Sequence, residues 1–306
     1  MKIGSVKITR IEEYRGPAFM PRDLLPDWSA DAVAPHLDWL EPHYLDRGTG
    51  RLVMSCHSWL VETEHLKILI DTCTGNHKQR PGGAPLFDML DTPYLDRLAD
   101  TGLRPEDIDY VLCTHLHADH VGWNTRLSNG RWIPTFPNAK YVMSKTDYQA
   151  LSPEGGGGSF AAWGALMYED SILPVVENRQ EMLVDGGFQI GDNLIAEDSP
   201  GHSPGHLLFA LRDNDQEGLF IGDIIHHPIQ VYYPDWNSAF CFDADQATRT
   251  RKGVLERAFD RGSVLLPAHF AGRGACCVSH NATGFACIGL EEGPSAISHA
   301  MHNLAG

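Results

Sequence analysis

Apolar and polar positions alternate through the first fourteen residues, MKIGSVKITRIEEY, the period-two pattern of a half-buried strand. Two more strands are predicted over residues 53–62 and 66–71. The second, LKILID, is an almost unbroken apolar run of the kind buried on both faces. Leu86, Leu90, Tyr94, Leu95 and Leu98 then recur close to helical spacing and predict a helix over residues 86–99, with Gly102 as its stop. A short buried strand, IDYVLC, runs straight into THLHADH. This puts a histidine cluster at the end of a strand, where open α/β architectures place their sites. Residues 141–144 predict another strand followed by a short helix. Residues 155–158, all glycine, form a loop tip that lacks the Gly-Lys-Ser/Thr of a phosphate loop.

The pattern returns in the second half with a strand over residues 188–196, the turn SPGHSPGH, the strands LLFALR and LFIGD, a helix over residues 245–259, and SVLLPAHF. No linker divides the chain, so residues 1–306 read as one domain. Residues 16–50, rich in Pro, Asp and Trp, read as an ordered N-terminal arm that packs on the body, covers a pocket or meets another subunit.

Composition narrows the function. The 306 residues carry 24 basic against 40 acidic side chains, a net charge of −16, with no basic stripe. Such a surface repels phosphate backbones, which argues against nucleic acid as a partner. No stretch approaches the roughly 20 apolar residues of a membrane span, and the N-terminus lacks a signal-peptide core. Seven cysteines, without zinc-type CxxC pairing, suggest a reducing, cytoplasmic setting.

The chemistry lies in the 16 histidines. His115, His117, Asp119 and His120 crowd into six positions, and imidazole nitrogens with carboxylate oxygens suit zinc and similar ions. A lone histidine after a strand is more often structural, so Pro200-Gly201-His202, Gly222-Asp223 and Pro267-Ala268-His269 are each weak signals alone. Together, in this order behind HLHADH, they form a specific set.

These motifs resemble those of the metallo-β-lactamase superfamily, from about Val53 to His269. The resemblance implies an α+β fold, the four-layer αββα sandwich, with two mixed β-sheets flanked by helices and the metals at one edge. It assigns His115, His117 and His202 to one metal, Asp119, His120 and His269 to the other, and Asp223 to both. Asp71 is expected to orient a ligand by hydrogen bonds, or to cap its own turn. Two divalent ions, zinc first with Mn, Fe or Co as alternatives, would share a bridging hydroxide generated near neutral pH, with Asp119 holding it and carrying its proton.

LIDTCTGN, THLHADHVGWN, FPNAKYVMSKTDY and GDIIHHP most resemble the subgroup of N-acyl-homoserine lactonases and methyl-parathion-hydrolase-like enzymes. The implied activity is hydrolysis of a lactone or other carboxylic ester. A phosphotriester or aryl-ester hydrolase is the alternative, and a non-hydrolytic metal-binding or redox module the reading from another class. Lactonases of this group often carry Tyr three residues after the bridging Asp; here that position is His226, a candidate to donate to the leaving oxygen or bind a substrate carbonyl. Trp123 is expected to wall the substrate pocket, with Trp28, Trp39 and Trp236 as further candidates. The resemblance and the arm together suggest a homodimer.

Overall fold

The computed structural model describes residues 1–82, 87–155, 162–281 and 284–289. Its larger sheet runs in the order Lys2–Ile3, Val6–Pro17, Arg51–Glu62, Lys67–Ile70, Tyr110–Leu112, Lys140–Ser144, Glu181–Val184, with Leu45–Asp46 paired to Arg51–Glu62. Pairing is antiparallel up to Lys67–Ile70 and parallel beyond it. The second sheet runs Gln189–Ile190, Leu194–Asp198, Leu207–Asp213, Gln216–Gly222, Val264–Pro267, and only its last pair is parallel. Both sheets are mixed.

Side-chain alternation decides the layers. Trp59, Val61, Ile68, Ile70, Leu112 and Val142 of the larger sheet meet Phe209, Leu211, Phe220, Val264 and Leu266 of the smaller in one buried cluster, so the sheets pack face to face. The intervening residues Leu60, Leu69, Val111, Tyr141 and Met143 face outward, under Tyr94, Leu98, Leu151, Met167 and Val175. On the other side Leu208, Ala210, Leu219, Ile221 and Leu265 are covered by Val254, Leu255 and Ala258 of the long helix Ala244–Arg261. Its ends follow local chemistry: Asp243 accepts from the Gln246 amide at 2.9 Å, and Gly262, with φ of 64°, closes it in the left-handed conformation. The result is the expected αββα sandwich.

Residues 16–50 complete this outer layer. Leu24, Leu25, Trp28, Val33, Leu40 and Tyr44, from short helical turns, bury into the same cluster as the long helix, while Phe19 and Leu24 reach a cavity at the metal-binding end. Trp28, Trp39 and Trp236 belong to this packing and do not line the cavity, which corrects their reading as pocket walls.

Two elements differ from the hydrophobic pattern. Helix forms only over Tyr94–Ala99, because Pro93 disfavours helical backbone at Thr92. Residues upstream are instead drawn into loop pairing, His77 N to Leu90 O at 2.9 Å and Met89 N to Lys78 O at 2.8 Å; Leu86 lies outside the described residues. The strand expected over residues 188–196 is split into Gln189–Ile190 and Leu194–Asp198, where Gly191, with φ of 58°, turns the chain back on itself. Of the glycine loop tip, only Gly155 falls within the described residues. No helix among the described residues is long and apolar enough to cross a membrane.

Candidate metal centre

The strand Tyr110–Leu112 carries the chain to the edge of the sandwich, and the turn after it is fixed from both sides. Leu116 and Ala118 bury into the outer core, which directs His115, His117, Asp119 and His120 toward the opposite side. Two glycines are obligatory nearby. Gly222 has φ of 46°, and a Cβ there would stand 2.6 Å from Thr114 Oγ1 and 2.8 Å from His206 Nε2. At Gly201, with φ of 135°, a Cβ would lie 2.3 Å from the Ala247 amide nitrogen. Bare backbone at these positions lets Asp223 and His202 approach the HLHADH turn.

The seven predicted ligands converge in two groups. His115, His117, His202 and Asp223 form one, and Asp119, His120 and His269 the other, with ligand atoms within 4.8 Å of one another in each. His117 Nδ1 lies 3.0 Å from His115 Nε2 and 2.9 Å from His202 Nε2. Asp223 faces both groups. Its Oδ2 is 3.2 Å from His202 Nε2, while its Oδ1 is 3.2 Å from His120 Nε2 and 3.0 Å from His269 Nε2. Asp119 lies on the cavity side, 3.8 Å from His120 Nε2 and 3.5 Å from His269 Nε2. Buried His120 Nε2 and Asp223 Oδ1 have no hydrogen-bond partner, an arrangement that costs free energy unless a cation engages them. The donor set fits two divalent ions of the zinc type.

Three of the imidazoles are oriented by their other nitrogen. His269 Nδ1 donates to Ser55 O at 2.9 Å, His115 Nδ1 meets Thr114 Oγ1 at 3.1 Å, and His120 Nδ1 meets Asp71 Oδ2 at 2.9 Å. Asp71 also accepts from Thr114 N at 2.8 Å. It thus bonds both the His120 imidazole and the backbone of the turn.

Three contributors went unread in the sequence. His206 accepts from the Asp223 amide at 3.2 Å through Nε2 and meets Ser199 Oγ at 2.8 Å through Nδ1. Buried Glu13 accepts from Thr74 N, Gly75 N and Trp123 Nε1, securing the loop after Asp71 to the one after His120. Asp147 joins the two histidine turns, accepting from Leu116 N at 3.4 Å, Ser203 Oγ at 2.7 Å and Gly205 N at 2.6 Å. Only the second histidine of PGHSPGH could have been noticed from sequence; the two carboxylates act through bonds spanning 31 to 110 positions. Asp147→Ala is expected to lower metal affinity at the His115/His117/His202 group by roughly 10–100-fold. Competition with a chromophoric chelator would measure this, and wild-type affinity would reduce Asp147 to a stabilising contact.

Electrostatics divide the histidines. Burial pushes His115 and His202 well below the ordinary imidazole range, His117 to about 4 and His206 to about 3. Burial acts the same way on His120 and His269, but Asp223 leads the carboxylates that outweigh it, and both are raised. Burial likewise opposes ionisation of Asp223, yet the surrounding imidazoles, His269 and His120 foremost, hold it well below the usual carboxylate range.

Above the centre opens a cavity of about 570 Å³. His117, Asp119, His202, Asp223, His226 and His269 form its polar floor; Phe19, Leu24, Met54, Phe87, Trp163 and Phe240 supply apolar wall. Phe19 stands 5.6 Å from Phe240 and 6.3 Å from Phe87, and Phe87 stands 5.8 Å from Trp163, a continuous aromatic arc. His226 lies in the floor with Nε2 3.1 Å from Asp223 Oδ2. Trp123 does not line the cavity. The turn Gly122–Asn124 rotates it away to stack on Tyr94 at 5.2 Å and donate to Glu13 Oε1 at 2.6 Å, which corrects its assignment to the substrate pocket.

Comparison with known proteins bears on this geometry. An N-acyl homoserine lactonase of Bacillus cereus is 23% identical over 223 residues, 69% of this chain and 79% of that protein. N-acyl homoserine lactonase AttM of Azorhizobium caulinodans is 35% identical over 117 residues, 36% of this chain and 38% of its own. Among solved structures, the dizinc quorum-quenching lactonase AidC, bound to a product, superposes with a TM-score of 0.77 at 21% identity, covering 96% of this chain and 97% of AidC. The hydrolase AbOPH superposes with a TM-score of 0.79 at 23% identity over the same shares. The family model "Metallo-beta-lactamase superfamily" matches residues 51–269, from the strand beside Ser55 to the last of the converging histidines. This chain belongs to the metallo-β-lactamase superfamily and is a metal-dependent hydrolase.

Proposed function

We propose that the chain is a dinuclear metal hydrolase that opens the ring of a lactone bearing an apolar acyl chain, of the N-acyl-homoserine lactone type. The observation that carries this reading is the placement of Asp223 between two histidine groups, at the floor of a cavity walled by aromatic side chains. The similarity to N-acyl homoserine lactonases supports the same substrate class.

In this reading His115, His117 and His202 would hold one ion, Asp119, His120 and His269 the other, and Asp223 would serve both groups. When bound, two such ions acidify water to near neutrality and polarise a carbonyl oxygen. The protein's own groups do the rest. Asp119, on the cavity side, is placed to take a proton from the attacking water and pass it toward the leaving oxygen. His226 stands at the floor beside Asp223 Oδ2, its ring 5.9 Å from that of His269, and would meet a ring oxygen or carbonyl of a substrate bound there. The aromatic arc binds the acyl chain and excludes water from the reacting ester.

The imidazole of His226 favours a second reading, hydrolysis of a phosphotriester or aryl ester, because this position lacks the tyrosine of the resembling lactonases. Proton release after adding N-acyl-homoserine lactones to zinc-loaded protein separates the two. Release that disappears on chelation, and grows with acyl length until the apolar wall is filled, is the expected result. Absence of release, with turnover of an aryl phosphotriester, would overturn the lactone assignment in favour of the second reading.

A further inference from the structure

A second cluster of metal-binding atoms lies behind the cavity wall. Glu13, Cys56 and Cys73 each offer one atom within 4.8 Å of the others, and none belongs to the histidine groups. Strand register produces this meeting: Arg51–Glu62 pairs Trp59 with Ile70, and continuing that antiparallel register brings Cys56 opposite Cys73. Cys73 sits just past the strand end with φ of 50°, a left-handed conformation uncommon for a side chain other than Asn or Asp. That backbone is held by the metal turn, with Gly122 N donating to Cys73 O at 2.7 Å and Thr72 N to His120 O at 2.7 Å.

The two sulfurs are the weakly engaged donors of this cluster, Cys56 Sγ meeting Asp119 O at 3.4 Å and Thr74 Oγ1 at 3.9 Å, and Cys73 Sγ meeting Ser58 Oγ at 3.5 Å. Glu13 already accepts four hydrogen bonds, from Thr74 N, Gly75 N, Trp123 Nε1 and Thr92 Oγ1. Cys56, by contrast, is half-buried and forms part of the cavity lining, while Cys73 is fully buried behind it. Thiolates favour soft, thiophilic centres for which the imidazole and carboxylate groups across the wall are poor ligands.

We propose that Cys56 and Cys73 form a dithiol site for a soft, thiophilic ion of the trivalent-arsenic class, entered from the catalytic cavity. Binding replaces both S–H bonds with As–S bonds. With an arsenoxide, the two thiol protons leave with the arsenic-bound oxygen as water, and no oxidation state changes. Occupancy reaches the hydrolytic centre because Cys56 Sγ contacts the Asp119 carbonyl oxygen at 3.4 Å, a bond lost when sulfur takes up arsenic.

The test uses the zinc-loaded protein and phenylarsine oxide, with adducts counted by native mass spectrometry. The chain contains its own control, since Cys276 and Cys287 stand 3.6 Å apart, sulfur to sulfur, away from the cavity. One adduct is expected in the wild type, released by excess dithiothreitol. It should disappear in both Cys56→Ser and Cys73→Ala and persist in Cys276→Ser, and hydrolytic activity should fall in step with adduct formation. Zinc content of each variant, measured in parallel, reports that its histidine centre has folded. No adduct in the wild type, an adduct surviving in zinc-loaded Cys56→Ser and Cys73→Ala, or one lost in Cys276→Ser would overturn the assignment. Since the adduct count is independent of the hydrolytic substrate, failure of the lactone reading leaves this test intact.

Discussion

Asp223→Ala is expected to lower kcat/KM by about a thousandfold or more and to release metal from both donor groups. The magnitude follows from losing several kcal/mol of charge stabilisation, at roughly 1.4 kcal/mol per factor of ten. The direction follows from geometry. One carboxylate oxygen faces His202, the other His120 and His269, so a single truncation would take a carboxylate donor from beside each group. What remains around the gap is chiefly imidazole, and His120 and His269 lose the carboxylate that leads the upward shift in their basicity. Metal content after dialysis, measured beside kcat/KM, checks both halves. Full activity with full metal would show that Asp223 does not join the two groups.

The same dependence on proximity explains what the sequence revealed and what it hid. His115, His117, Asp119 and His120 are legible because they share one turn after one strand. His202, Asp223 and His269 are legible because each follows a strand at the same end of the sandwich. The layers were readable too, since alternation in LLFALR assigns Leu208 and Ala210 to one face and Leu207, Phe209 and Leu211 to the other.

The cavity wall was not. Phe19, Phe87, Trp163 and Phe240 come from four loops with no periodicity, and only the fold brings them into one arc. Trp123 misleads for the opposite reason. It adjoins the metal turn in sequence, but one tight turn points its ring into the core. Spacing alone likewise predicted too long a helix before Ala99, where Pro93 and side-chain bonds such as Thr92 N to Asn76 Oδ1, at 2.8 Å, set the start.

Asp71 offers the sharpest separation of structure from chemistry. Asp71→Ala is expected to weaken metal binding at the Asp119/His120/His269 group by about 10–100-fold and to destabilise the fold. Truncation strands the buried Thr114 amide, a loss of about 1–3 kcal/mol. It also places alanine at φ of 56°, which Asp tolerates better. Asp71→Asn should behave differently. Asparagine accepts the left-handed backbone, and its carbonyl oxygen can still receive the Thr114 amide, so the melting temperature should stay close to wild type. Its NH₂ would then face His120 Nδ1, now 2.9 Å from the carboxylate. A donor there forces Nδ1 to accept and places the ring proton on Nε2, the nitrogen that must be bare to bind metal. The asparagine variant should therefore be stable yet lose metal affinity nearly as far as the alanine variant, with thermal unfolding and metal titration as the paired readouts. If it binds metal like the wild type while Asp71→Ala unfolds early, Asp71 serves the turn and not the histidine.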